Sequence, residues 1–151
     1  MRKFLIAAIA VSIPALAIAD AATDAVKARQ EHMKGYGQNV GVLSKMAKGE
    51  VDFDSAAAQQ AADALAELAG KDASGYWLPG TSSDDMPGVS YAYPALWQDG
   101  AKAGEIAGQL REAALALQGV AGTDRAAMAK ALGDVGKTCQ DCHKDFRMKK
   151  D

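Results

Sequence analysis

The sequence predicts an all-α chain folded as an up-down antiparallel four-helix bundle. Three observations carry this. Apolar residues recur at intervals of three, four and seven in four separate stretches, the signature of one inward helix face. Short turns join neighbouring stretches, which favours antiparallel packing. Hydrophobic residues make up 49% of the chain but aromatics only 6%, so the core is expected to be built from alanine and aliphatic side chains at close helix spacing.

The first helix is expected over 21–48. Val26, Met33, Tyr36, Val40, Leu43 and Ala47 form its stripe, and Gly49 follows its last turn. The second spans 54–69, with Asp54 or Ser55 as cap and Ala58, Ala61, Leu65 and Leu68 on its apolar side. Residues 71–93 read as a long irregular connection, broken by Gly75, Pro79, Gly80, Pro87 and Gly88. The same stretch carries Tyr76, Trp77, Tyr91 and Tyr93, so it is expected to pack on something. The third helix is read as one piece over 94–118, with Pro94 in its first turn. Leu96, Ala103, Ile106, Leu110, Ala113 and Leu117 line it, and Gly104 and Gly108 are expected to admit a close neighbour. Thr123 or Asp124 caps the fourth helix, which is read as reaching Lys149, with Met128, Leu132, Val135, Cys139, Cys142 and Phe146 as its stripe.

Residues 1–19 read as a signal peptide, leaving 20–151 as one mature domain. Arg2 and Lys3 precede an apolar run over 4–13, and Ala17-Ile18-Ala19 fits a small-x-small cleavage site. The run is short for a membrane span, which needs roughly 18–20 apolar residues, and no span is expected after leader removal. Losing two basic residues leaves 15 Lys+Arg against 19 Asp+Glu, a formal −4. A weakly acidic chain without a basic run is not built for nucleic acid.

The chemistry lies in Cys139-Gln140-Asp141-Cys142-His143. Residues at i, i+3 and i+4 share one helix face. Two thiols so placed can add across the two vinyl groups of one haem and leave the histidine at its iron. A redox dithiol normally opens a helix after a strand, and no strand pattern is visible. A structural zinc site needs four ligands, and with two cysteines and two histidines His32 would have to complete it. A disulfide would leave the following histidine unexplained. The reading is therefore one covalent haem c with its iron, attached outside the cytoplasm, in the periplasm.

These features resemble the class II c-type cytochromes, the cytochrome c prime family, over nearly the whole mature chain. The resemblance rests on C-x-x-C-H near the C-terminus followed by Phe146 and Arg147, on Gly133 and Gly136 ahead of the cysteines, on the Arg29-Gln30 pair, and on Pro94 to Trp97 opening the third helix. It implies a four-helix bundle, His143 as proximal iron ligand, and Arg29 beside a haem propionate. It also implies Phe146 and Trp97 near the haem, Arg147 beside the proximal histidine, and a homodimer through the first two helices.

The distal face divides two functions. The position four after Arg29, which faces the iron in this family, is Met33. In the low-spin cytochrome c-556 subgroup a first-helix methionine is the sixth ligand and the protein transfers electrons. In five-coordinate members the side chain only blocks the iron, and nitric oxide or carbon monoxide binds. The segment from Met33 to Asn39 looks closer to c-556, so the leading expectation is a His143/Met33 electron carrier serving an unidentified redox partner protein. Gas binding is the alternative. His32, one residue away, points about 100° around the helix and is expected to face outward if Met33 faces inward. No acid–base pocket is apparent, so an enzyme is not expected.

Overall fold

The computed structural model describes residues 15–149. The predicted leader over 1–19 falls mostly outside them. The elements are α1 (Ala15–Ala47), α2 (Ser55–Gly70), a 3-10 turn at Ser74–Tyr76, a one-turn α3 (Ala95–Gln98), α4 (Gly100–Gln118) and α5 (Arg125–Phe146). No strand occurs among the described residues. The helix ends follow local chemistry. Asp54 accepts from the Ala57 N–H at 2.9 Å, and Asp124 accepts from Ala127 at 2.9 Å. Each satisfies an N–H that the first turn leaves without a partner. At the end of α1, Gly49 takes φ +73°, which favours glycine. Its N–H donates to Met46 O and that of Glu50 to Lys45 O, the paired bonds of a Schellman turn.

Two boundaries differ from expectation. The third helix is not one piece: it breaks at Asp99 into α3 and α4. Asp99 leaves helical dihedrals and turns its carboxylate onto the Lys102 N–H at 3.2 Å, so a cap forms where continued helix was expected. The fourth helix stops at Phe146 rather than at 149. Beyond it Arg147 pairs antiparallel with Ala92, Tyr93 N donates to Phe146 O at 2.9 Å, and Met148 N donates to Tyr91 O at 2.8 Å. These bonds take the chain end away from the helix and tie it to the long connection.

In the bundle α1 packs on α2 and α5, and α4 packs on the same two helices. Leu43, Leu65, Leu117, Met128 and Val135 are fully buried in the middle. Each such side chain contributes roughly 1.5–3 kcal/mol by leaving water. α1 and α2 approach closely at Gly35, where an added Cβ would lie 3.2 Å from Leu68 Cδ1. Gly104 and Gly108 do not play the expected role, since a Cβ at either meets nothing within 4 Å. The α4–α5 turn is latched to α2 by Gln59, which donates to Gln118 O at 2.9 Å and accepts from Gly122 N at 3.2 Å.

Candidate functional site

The register between α1 and α5 places the site. Gly49 ends α1 beside Arg125, which starts α5: a Cβ at Gly49 would lie 3.5 Å from Arg125 Nη1. The helices come together again further along, where Cys139 packs on the core cluster that holds Tyr36 and its charge acts on that phenol. The helices therefore run antiparallel, with Tyr36 level with Cys139. Four more residues on each helix, at 1.5 Å per residue, put His143 level with His32 and Met33.

Cys139 and Cys142 are unpaired, half-buried thiols, and His143 is exposed at the end of the same strip. Burial pushes both thiols up, and for Cys142 the charges of Cys139 and Asp145 push further. Such thiols stay protonated, unlike the activated thiolate of a redox dithiol. Burial of part of the ring and then the charge of Arg147 hold His143 below the usual imidazole range, although one edge faces solvent. A neutral imidazole is the form that binds iron. Neither ring nitrogen of His143 has a hydrogen bond among the described residues. Beside it lies an open recess of about 510 Å³ lined by Gln140, His143, Lys144, Arg147, Met148 and Lys149. The described residues contain no cluster of three or more histidine, cysteine or acidic side chains suited to a metal ion, so the zinc reading finds no ligand set. Two protonated thiols and an uncommitted imidazole on one strip fit covalent haem.

Arg29 is 5% exposed and enclosed by the long connection. Its guanidinium donates to Thr81 O and Ser90 Oγ at 2.9 Å, to Thr81 Oγ1 at 3.3 Å and to Tyr76 O at 3.4 Å. It also stacks on Trp77 at 4.9 Å and Trp97 at 5.9 Å. None of these partners is a carboxylate, so neutral dipoles and aromatic faces offset its charge. Burial lowers its pKa. The aromatic stretch predicted to pack on something packs on this cation. Trp97 Nε1 donates to Trp77 O at 3.0 Å, and Phe146 is buried where α5 ends.

The distal helix is arranged otherwise than expected. A helix residue shares its face with those three and four positions on. For His32 these are Gly35, against Leu68 of α2, and Tyr36, buried in the core cluster. His32 is half-buried, with its ring edge-on to Tyr36 at 5.0 Å and to Tyr76 at 5.6 Å. For Met33 the neighbours are Tyr36 and Gly37, and a Cβ at Gly37 meets nothing within 4 Å. Met33 is 40% exposed. His32, expected to face outward, is half-buried beside two tyrosines instead, while Met33 stands on the same helix face as buried Arg29 and Tyr36. Burial and then the charge of Lys71 lower the His32 pKa.

A Cys-x-x-Cys-His strip on the last helix of a four-helix bundle defines a bundle-type c-type cytochrome. The sequence model of the Cytochrome C' family matches residues 24–147. Cytochrome c' from Cereibacter sphaeroides is 41% identical, the match covering 99% of this chain and 100% of the relative. Cytochrome c-556 from Rhodopseudomonas palustris is 32% identical over 99% of each. A solved cytochrome c' from Rhodobacter sphaeroides superposes with a TM-score of 0.82 at 40% identity, over 85% of this chain and 98% of that one. A nitric oxide complex of a cytochrome c prime variant from Alcaligenes xylosoxidans gives 0.74 at 27% identity, over 85% and 97%. The chain belongs to the cytochrome c' family, whose members carry covalently attached haem c.

Proposed function

We propose that this chain is a periplasmic monohaem cytochrome of the gas-binding kind. In this reading Cys139 and Cys142 attach the haem and His143 holds the iron from the proximal side. The distal side is covered by α1 without a protein ligand, so small neutral gases such as nitric oxide or carbon monoxide bind there. The leader over 1–19 exports the chain to the compartment where the haem is attached, and a homodimer through α1 and α2 is part of the proposal.

The observation that carries the reading is the likeness to proteins named cytochrome c', which reach 41% identity and a TM-score of 0.82. The relative at 41% identity carries the name cytochrome c' and the c-556 relative stands at 32%, which supports the same side. The sequence expectation of a Met33-ligated electron carrier thus becomes the second reading.

When bound, the haem supplies the redox-active iron and its open coordination position. The chain does the rest. His143 presents a ring nitrogen, and burial and then the charge of Arg147 lower the pKa of that ring. The test is a set of ferric and ferrous absorption spectra of haem-loaded protein, with and without carbon monoxide, for the native chain and Met33→Ala. A high-spin ferric spectrum unchanged by the substitution, with prompt carbon monoxide binding in both proteins, is expected. A low-spin spectrum whose iron–sulfur band disappears in Met33→Ala would overturn the reading in favour of electron transfer.

A further inference from the structure

Resting on the haem attachment proposed above, and not on what the distal side binds, we infer that the open recess beside His143 is the docking face for an acidic protein that gives one electron to the haem iron. The recess, of about 510 Å³, is lined by Gln140, His143, Lys144, Arg147, Met148 and Lys149 and by no carboxylate. Helix rotation places it. At 100° per residue, Cys139 and Cys142 lie on one side of His143, with buried Val135 and Phe146, while Gln140 and Lys144 lie on the other. The recess is therefore on the solvent side of the proposed iron ligand, outside the strip that takes the haem. Ferrous iron, the form that binds carbon monoxide, needs an outside donor, and so does an electron carrier. One electron passes from the reduced donor to ferric iron, the donor is oxidised by one, and no bond or proton moves.

The charges at this end of α5 are sorted onto two faces. Asp141 and Asp145, four apart, line the neighbouring groove against α4. There Lys102 Nζ holds Asp145 at 2.8 Å, and Lys137 Nζ holds Asp141 at 2.8 Å. Lys144 stands between the faces and lines both. Among the described residues Lys144, Arg147 and Lys149 make no ion pair. These three exposed cations face the recess without a paired carboxylate. The mature chain has 15 Lys+Arg against 19 Asp+Glu, a formal −4, so this face opposes the sign of the whole. Such a molecule turns its cationic end to an acidic partner. None of the three cations is buried, which suits a transient encounter with a protein surface better than a pocket for a small anion. None of the large exposed apolar side chains lines the recess, so it lacks the apolar anchor that holds a basic surface on a membrane. The exposed edge of His143 lies in the same recess, which puts a docked donor next to the residue proposed to hold the iron.

The experiment uses haem-loaded mature protein as native chain and as the double variant Lys144→Glu/Lys149→Glu, with haem attachment checked by intact mass and helicity by circular dichroism. Ferric protein is reduced by flavodoxin hydroquinone, an acidic one-electron donor protein used as the probe. In parallel it is reduced by lumiflavin semiquinone, which is small and uncharged. Ionic strength is raised from about 0.01 M to about 0.15 M, which shortens the screening length from about 30 Å to about 8 Å. The flavodoxin rate constant of the native chain is expected to fall about tenfold with salt, and the double variant to be about tenfold slower at low salt. The lumiflavin rates are expected to be alike. A flavodoxin rate that rises with salt in the native chain, the sign that a net −4 dictates, would overturn the inference. A lumiflavin rate slowed as much as the flavodoxin rate would put the change in the haem site and overturn it as well. Binding of the native chain, and not of the double variant, to phosphatidylglycerol vesicles at about 0.15 M salt would make the face a membrane contact and overturn it too. Carbon monoxide uptake by the same samples tests the gas-binding reading separately, and a native protein that takes up none loses that reading alone. A chain that carries no haem by mass overturns the attachment and the docking face together.

Discussion

Tyr36 of α1 is buried in the core cluster on which Cys139 of α5 packs, near enough for the charge of Cys139 to act on the phenol. This proximity leaves a measurable trace before haem is attached. Burial and then the charge of Cys139 push the Tyr36 phenol up to about 12. The unfolded phenol ionises near pH 10. Between those values the folded chain holds a proton that the unfolded chain has lost. Stability that is fully present below about pH 10 is therefore lost as pH rises through about 12. Urea unfolding of haem-free protein over this range is expected to show a fall of about 2–3 kcal/mol that Tyr36→Phe removes. With Cys139 converted to a thioether its charge disappears, so haem-loaded protein is expected to show a smaller fall, from burial alone.

Arg29 should matter for stability beyond any role toward the haem. Arg29→Met keeps much of the packing but strips partners from Thr81 O and Ser90 Oγ, both enclosed by the same loop. Losing hydrogen bonds from a charged donor and leaving buried acceptors unmet costs about 3 kcal/mol, measurable as a shift in the urea midpoint. Protease cleavage within 71–93 is expected to quicken in parallel. Arg29→Lys is expected to rescue little, because an ammonium cannot reach Thr81, Ser90 and Tyr76 together from one planar fork.

Two glycines are expected to respond in opposite directions to alanine. A Cβ at Gly122 would lie 2.9 Å from Gln59 Oε1, the atom that accepts from the Gly122 N–H. Gly122→Ala must move Gln59, which also holds Gln118 O and Asp63, and is expected to cost about 1–2 kcal/mol. Gly104 sits inside α4 with nothing within 4 Å of its would-be Cβ. Gly104→Ala is expected to stabilise the chain by about 0.5–1 kcal/mol, the helix-propensity difference. Denaturant unfolding of both variants checks the pair.

Much of this protein was legible in one dimension. A helix advances 100° and 1.5 Å per residue regardless of context, so the stripes predicted four bundle helices, and the spacing of Cys139, Cys142 and His143 put two thiols and an imidazole on one strip. Asp54 and Asp124 cap the helices that they precede, because an N-cap needs only its own next turn. The break at Asp99 was less legible, since the same residue type serves as a cap or as a tolerated interior residue. The stop at Phe146 depends on Tyr91, Ala92 and Tyr93, more than fifty positions earlier in the chain.

The sequence by itself determined the helical class, the caps and the haem-binding strip, because each depends on residues within one or two turns of each other. Only the tertiary structure decided that Arg29 is enclosed by the long connection and that His32 lies beside Tyr76. The partners of Arg29 at Tyr76, Thr81 and Ser90 stand 47, 52 and 61 positions away, so only the docking of that connection on α1 brings them together.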